Sequence, residues 1–133
     1  MREIKFRGKR KDTGAWVYGD LHHVQKIRTT EETEKSGKRS MPVVRIANYD
    51  VDEETVGQFT GMKDKNVRKI YDGDILCYRD KKGKEYRFEV IFVDGAFCFS
   101  HFGNKTFTEL REHDLNKYTV EGNIHDNPEL LTD

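Results

Sequence analysis

The stretch that decides the fold is EYRFEVIFVDGAFCFSH, residues 85–101. Two apolar runs flank Asp94-Gly95, a pair suited to a type I′ turn because both central residues need positive φ. A two-residue loop sets the register. Phe92 then faces Phe97, Val90 faces Phe99 and Phe88 faces His101, with Tyr86 continuing that face. The other face pairs Val93 with Ala96, Ile91 with Cys98 and Glu89 with Ser100. The first face is the better core candidate, since cross-strand aromatic pairs stabilise a sheet by roughly 0.2–1 kcal/mol each. On this reading Phe92, Phe97, Val90 and Phe99 share a buried face.

Outward from that hairpin the pattern stays β. Toward the N-terminus, Ile75-Leu76 lead a strand to Tyr78, entered through the tight turn of Asp72-Gly73-Asp74. Val56–Thr60 and the short run Val43, Val44, Ile46 read as strands, with a polar turn at residues 62–66. Ile4 and Phe6 alternate with charged residues, and Ala15–Gly19 follows a Lys11–Gly14 turn, so the chain opens on a hairpin that Leu21–Ile27 extends. Residues 28–40 contain no large apolar side chain and read as a flexible loop. Toward the C-terminus, Thr108 with Glu109 and Glu112 suggests a short helix over 108–113 with Thr108 as N-cap. Tyr118–Ile124 is a last strand, and Pro128 opens a helical turn. The expected fold is mainly β, or β-rich α+β: short strands forming a small barrel or a curled antiparallel sheet, with one or two short helices. The Gly73–Leu76 run is similar to strand entries of SH3-like barrels, which makes such an element an alternative by analogy. The 133 residues fit a single domain, or two lobes at 1–60 and 61–133.

Composition narrows the function. With 24 basic and 24 acidic residues the formal net charge is zero, against the strongly basic balance usual in a dedicated nucleic-acid binder. The charge is uneven. Residues 1–11 carry six basic side chains against Glu3, and residues 109–133 carry seven acidic ones against Arg111 and Lys117. The two ends can attract each other within the fold or between subunits; the alternative is a basic anchor for a phosphate backbone. Met1 is followed by charged residues with no apolar run, and no stretch approaches the ~20 apolar residues of a membrane helix. A cytoplasmic location, with Cys77 and Cys98 as reduced thiols and no membrane association, is expected.

Four segments carry a resemblance: REIKFRGKRKDTGAWVYG (2–19), ETVGQFTGMKDKN (54–66), IYDGDIL (70–76) and VEGNIHDNPEL (120–130). In this order they resemble the YopX family. The resemblance implies a phage- or prophage-conserved protein of mainly β structure and uncharacterised function, and it brings no catalytic or ligand-binding residues. The family often has Gly after the Lys-Asn of the second segment, where this chain has Val67.

No catalytic constellation stands out. Asp72 and Asp74 lack the further oxygen ligands of a calcium loop and read as turn residues before a strand, in an exposed turn where neither would titrate far from normal. His22 and His23 are adjacent and diverge on a strand. His101 and His113 form a site only if they converge. Cys77 and Cys98 sit among apolar residues that disfavour the thiolate. No cofactor, metal or catalytic residue is expected. Basic clusters with aromatics nearby remain: Lys9, Arg10 and Lys11, then Lys63, Lys65, Arg68 and Lys69, with a further run from Arg79 to Lys84. The expectation is a non-enzymatic protein-binding or self-associating accessory protein, a homo-oligomer with a phage or host protein as further partner. The alternative is a nucleic-acid-associated factor using those basic turns.

Overall fold

A computed structural model describes residues 3–27, 37, 40–101 and 107–131. The expected loop at 28–40 lies almost wholly outside them. The chain divides into two compact units, Ile4–Val56 and Met1–Glu3 with Gly57–Asp133. Every strand pairing is antiparallel, and no barrel closes among the described residues, so open sheets replace the small-barrel and SH3-like alternatives.

In the N-terminal unit, β1 (Phe6–Lys9) and β2 (Trp16–Gly19) form the opening hairpin. The segment read as its extension is a separate strand, β3 (Leu21–Ile27), which pairs with β4 (Ser40–Ile46). β4 turns through Ala47 and Asn48, both at positive φ, into β5 (Tyr49–Val51). Period-2 alternation places Val44, Ile46 and Val51 on one face as a small core, closed by Phe6, Val17, Leu21 and Val56. Gly8 on β1 permits that packing: a Cβ there would meet Ile46 Cδ1 at 3.1 Å and Val51 Cβ at 3.2 Å. Asp52 caps a 3-10 turn over Glu53–Thr55.

In the C-terminal unit, β6 (Gly57–Lys63) pairs with β7 (Lys69–Tyr71), and a five-stranded sheet is ordered β11-β10-β9-β8-β12. Its strands are β8 (Asp74–Arg79), β9 (Glu85–Val93), β10 (Ala96–His101), β11 (Phe107–Glu109) and β12 (Tyr118–Asn123). Asp94 at φ 51° and Gly95 at φ 83° make the type I′ tip. The register is the one the two-residue loop dictates, Phe92 opposite Phe97 and Val90 opposite Phe99. Val90 and Phe99 join Ile70, Leu76, Phe88, Leu110, Tyr118 and Val120 in the main core. Phe99 lies 5.1 Å from Phe88 and 5.0 Å from Tyr118, ring centre to ring centre.

Two expectations fail here for physical reasons. Phe92 is 54% exposed, although it lies on the core face. β8 pairs with β9 only over Glu85–Glu89, and β11 pairs with β10 only over Cys98–Ser100. The hairpin tip overruns its neighbours, so Phe92 has little to pack under, while Phe97 stays half-buried against the main core. The helix expected over 108–113 is instead the edge strand β11 followed by one 3-10 turn, Leu110–Glu112, to which no side chain supplies a cap. Thr108 is paired with Phe99 in the sheet, and ladder hydrogen bonds override its capping propensity. The other 3-10 turns are Leu115–Lys117 and Pro128–Leu131, the latter where Pro128 placed it.

Candidate binding surfaces

In the N-terminal unit the chain beyond β1 is drawn against β5. Arg10 bridges to Val51, and Lys11 N donates to Asp50 O at 3.0 Å. This carries Lys11, of the first expected basic cluster, to a groove of about 460 Å3 lined by Lys11, Asp12, Lys26, Arg45, Asn48, Tyr49 and Asp50. Lys26 Nζ donates to Asp50 Oδ2 at 3.0 Å and Arg45 Nε to Asp50 Oδ1 at 2.7 Å. Hydrogen bonds from Arg45 and Lys26 hold the Asp50 carboxyl below its ordinary value. Asp12 is gripped by Arg10 through Nε at 2.9 Å and Nη2 at 2.6 Å, and the Arg10 guanidinium lies 4.0 Å from the centre of the Tyr49 ring. Lys9 turns aside, its ammonium 5.5 Å from the Trp16 ring centre. Lys26, Arg45 and Tyr49 were missed in the sequence because none of them belongs to a contiguous basic run; strand register gathers them.

The second expected cluster lies in the other unit. Lys63 and Lys69 face each other across the β6/β7 ladder, while Lys65 and Arg68 are exposed on the turn between these strands. Lys69 Nζ donates to Glu3 Oε1 at 3.1 Å and sits 5.3 Å from the Phe59 ring centre. Arg79 pairs with Glu85, and Lys84 lies over Tyr86.

A second groove, about 380 Å3, opens at the hairpin tip of the C-terminal unit, lined among others by Thr60, Met62, Phe92, Phe97, Leu110 and Arg111. Phe92 and Phe97 pack 4.9 Å apart at its wall. Beside it runs β11, the sheet's edge, with Phe107 44% exposed.

A model of the family described as YopX protein matches residues 5–132. The chain belongs to the YopX family. Among solved structures it is similar to protein EF1440 from Enterococcus faecalis, at 25% identity and a TM-score of 0.58 over 98% of this chain and 99% of that one. Protein yopX from Bacillus subtilis shares the fold at 20% identity and a TM-score of 0.55, over 100% of this chain and 98% of that one. No curated protein matches.

The YopX family segments of the C-terminal unit meet one another in space, and they meet for structural reasons. Asp64, from the second segment, is buried. Its Oδ1 accepts from Asn66 N at 2.8 Å and Arg68 N at 2.9 Å, and its Oδ2 from Val120 N at 2.9 Å in the fourth segment. Gly57 passes so close to the third segment that a Cβ would lie 2.4 Å from Asp72 O. Gly122 makes the same allowance for Asn127, whose Oδ1 would lie 2.3 Å from a Cβ. The turn at Asp72–Asp74 is not exposed as expected. Asp74 is 1% exposed, and its Oδ2 accepts from Tyr71 N at 2.7 Å. Backbone bonding at the entry to β8 takes this carboxylate inside, so the turn reading stands and the exposure does not.

Several other titratable groups among the described residues of this YopX chain are engaged by neighbours. Cys77, Glu85 and Glu121 bring potential ligand atoms within 4.8 Å of one another. Arg79 and Arg87 bind Glu85, and Arg87 Nε donates to Glu121 Oε2 at 2.8 Å. Burial, with Glu121 beside it, pushes the Cys77 thiol up to about 11. Protonated thiol and arginine-bound carboxylates are poor metal ligands. Burial also raises Cys98, and both thiols are free. His22 and His23 oppose Arg45 and Val44, on opposite faces of the sheet. His113 stands between Thr108 Oγ1, 2.8 Å from its Nε2, and Tyr118 Oη, 3.5 Å from its Nδ1. Neither Thr108 nor His113 lines a groove described above, so the chain of hydroxyls and imidazole braces the 3-10 turn. Among the described residues no helix is long and apolar enough to cross a membrane.

Proposed function

We propose that this YopX family protein is a non-enzymatic accessory protein of a phage or prophage that works through protein contacts, beginning with a second copy of itself. One observation carries the reading. The tip groove holds exposed Phe92 in tilted ring contact with half-buried Phe97, beside the edge strand β11 and exposed Phe107. Exposed aromatics are costly on a monomer's surface and enriched at the centres of interfaces. An edge strand left open is a template for another chain. The same edge in a second molecule supplies a complementary strand and aromatic wall, as a two-fold contact requires.

Sedimentation velocity over a hundredfold concentration range tests this. The wild-type protein forms a dimer or larger species, and Phe92→Ser with Phe107→Ser shifts it to monomer while circular dichroism stays unchanged. A wild-type protein that remains monomeric throughout overturns the proposal.

A further inference from the structure

We propose that the basic groove of the N-terminal unit binds the phosphate of a nucleotide, free or within a single strand. The proposal goes beyond the protein-contact reading, and it concerns other residues. The argument begins with hydrogen-bond capacity. Both carboxylates of the groove are already occupied: Asp50 accepts from Lys26 and Arg45, and Asp12 from Arg10. The cations are not exhausted by this. Arg45 spends only Nε on Asp50 among the described residues, which leaves its terminal amino groups. Lys26 has three donors and spends one. The Lys11 side chain has no bonded partner among the described residues, since only its backbone is engaged. Lys11, Lys26 and Arg45 line the concave surface with the neutralised carboxylates of Asp12 and Asp50, and with Arg10 bound to Asp12 the excess is two positive charges.

The surplus donors suit a tetrahedral oxyanion better than a carboxylate. They come from an arginine fork and two ammonium groups on three separate segments, and a phosphate offers acceptor oxygens in several directions. Tyr49 lines the same groove and is 42% exposed. Arg10 stacked on its ring fixes the ring's position, and an aromatic beside a phosphate site is where a base stacks. The volume of about 460 Å3 is within the usual range for small-molecule sites, roughly 300–1,000 Å3.

The test titrates fluorescently labelled 5′-mononucleotide and a labelled oligothymidylate into the full chain, with anisotropy as readout and inorganic phosphate as competitor. The expected result is saturable binding of at least one probe, displaced by phosphate at high concentration. Mononucleotide binding identifies a free nucleotide as ligand, and binding of the oligomer alone identifies a strand. Lys11→Gln with Arg45→Gln weakens binding at least tenfold, whereas Lys65→Gln with Arg68→Gln in the other unit leaves it unchanged. Should loss of Arg45 unfold the sheet, Lys11→Gln alone, at an exposed position, still lowers affinity severalfold. For the oligomer, log affinity falls with log salt at a slope of about −2, as expected for three phosphate contacts on a single strand. Binding of neither probe overturns the proposal, and so does equal loss of affinity in the Lys65/Arg68 variant.

Discussion

Val67 holds a β-branched side chain at φ 64°, 70% exposed, in the turn that follows Asp64. The left-handed region costs an L-residue roughly 1–2 kcal/mol, and nothing at an exposed site compensates. Val67→Gly removes that strain but gives the unfolded chain more freedom, a cost of about 0.5–1 kcal/mol. The net expectation is a gain of about 0.5–1 kcal/mol in urea unfolding; a loss means that the turn does not adopt this conformation. Glu89 makes a second residue-scale prediction. Burial, with Asp72 nearby, raises its carboxyl above the ordinary 4.5. A raised carboxyl favours the fold while protonated, and that contribution is lost as pH rises through the folded value. Glu89→Gln therefore raises the melting temperature at pH 7 and has little effect near pH 4. The reverse pattern would mean that the ionised form is the one the fold favours. At this scale the sequence was least legible. It contains nothing local to tell buried Asp64 and Asp74 from exposed Asp94, because the difference is made by backbone amides, up to 56 positions away in the case of Val120.

Among the elements, the central hairpin was legible because a two-residue turn and period-2 alternation leave no freedom of register. How deep each rung lies was not legible, since depth depends on how far β8 and β11 reach alongside. Phe99→Ala, at 2% exposure, is expected to lose about 3–5 kcal/mol, and Phe92→Ala, at 54%, less than about 1 kcal/mol. Equal losses in chemical denaturation would contradict the difference in depth. Gly57→Ala tests the approach of β6 to the turn before β8. Its methyl meets the Asp72 carbonyl oxygen at 2.4 Å, and backbone must move to admit it. The expected loss is about 1–3 kcal/mol, and an unchanged melting temperature would mean the two segments do not touch.

At the scale of the molecule, the mainly β class followed from strands spaced by turn residues, and the family from four segments that fold onto one another or onto their own unit's core. The aromatic groove was not legible, because Phe92, Phe97, Leu110 and Met62 come from three separate regions of the chain and look like core residues wherever they occur. Nor was the basic groove, where Lys11 of one expected cluster is joined by lone residues from β3, β4 and β5. The central claim is that two copies meet through the hairpin tip and β11. Amide hydrogen exchange, read by mass spectrometry at low and at high protein concentration, tests it most directly. Slower exchange at high concentration, confined to residues 92–97 and 107–111, is the result the account predicts. Exchange in those residues that does not depend on concentration, or protection appearing only elsewhere in the chain, would contradict it.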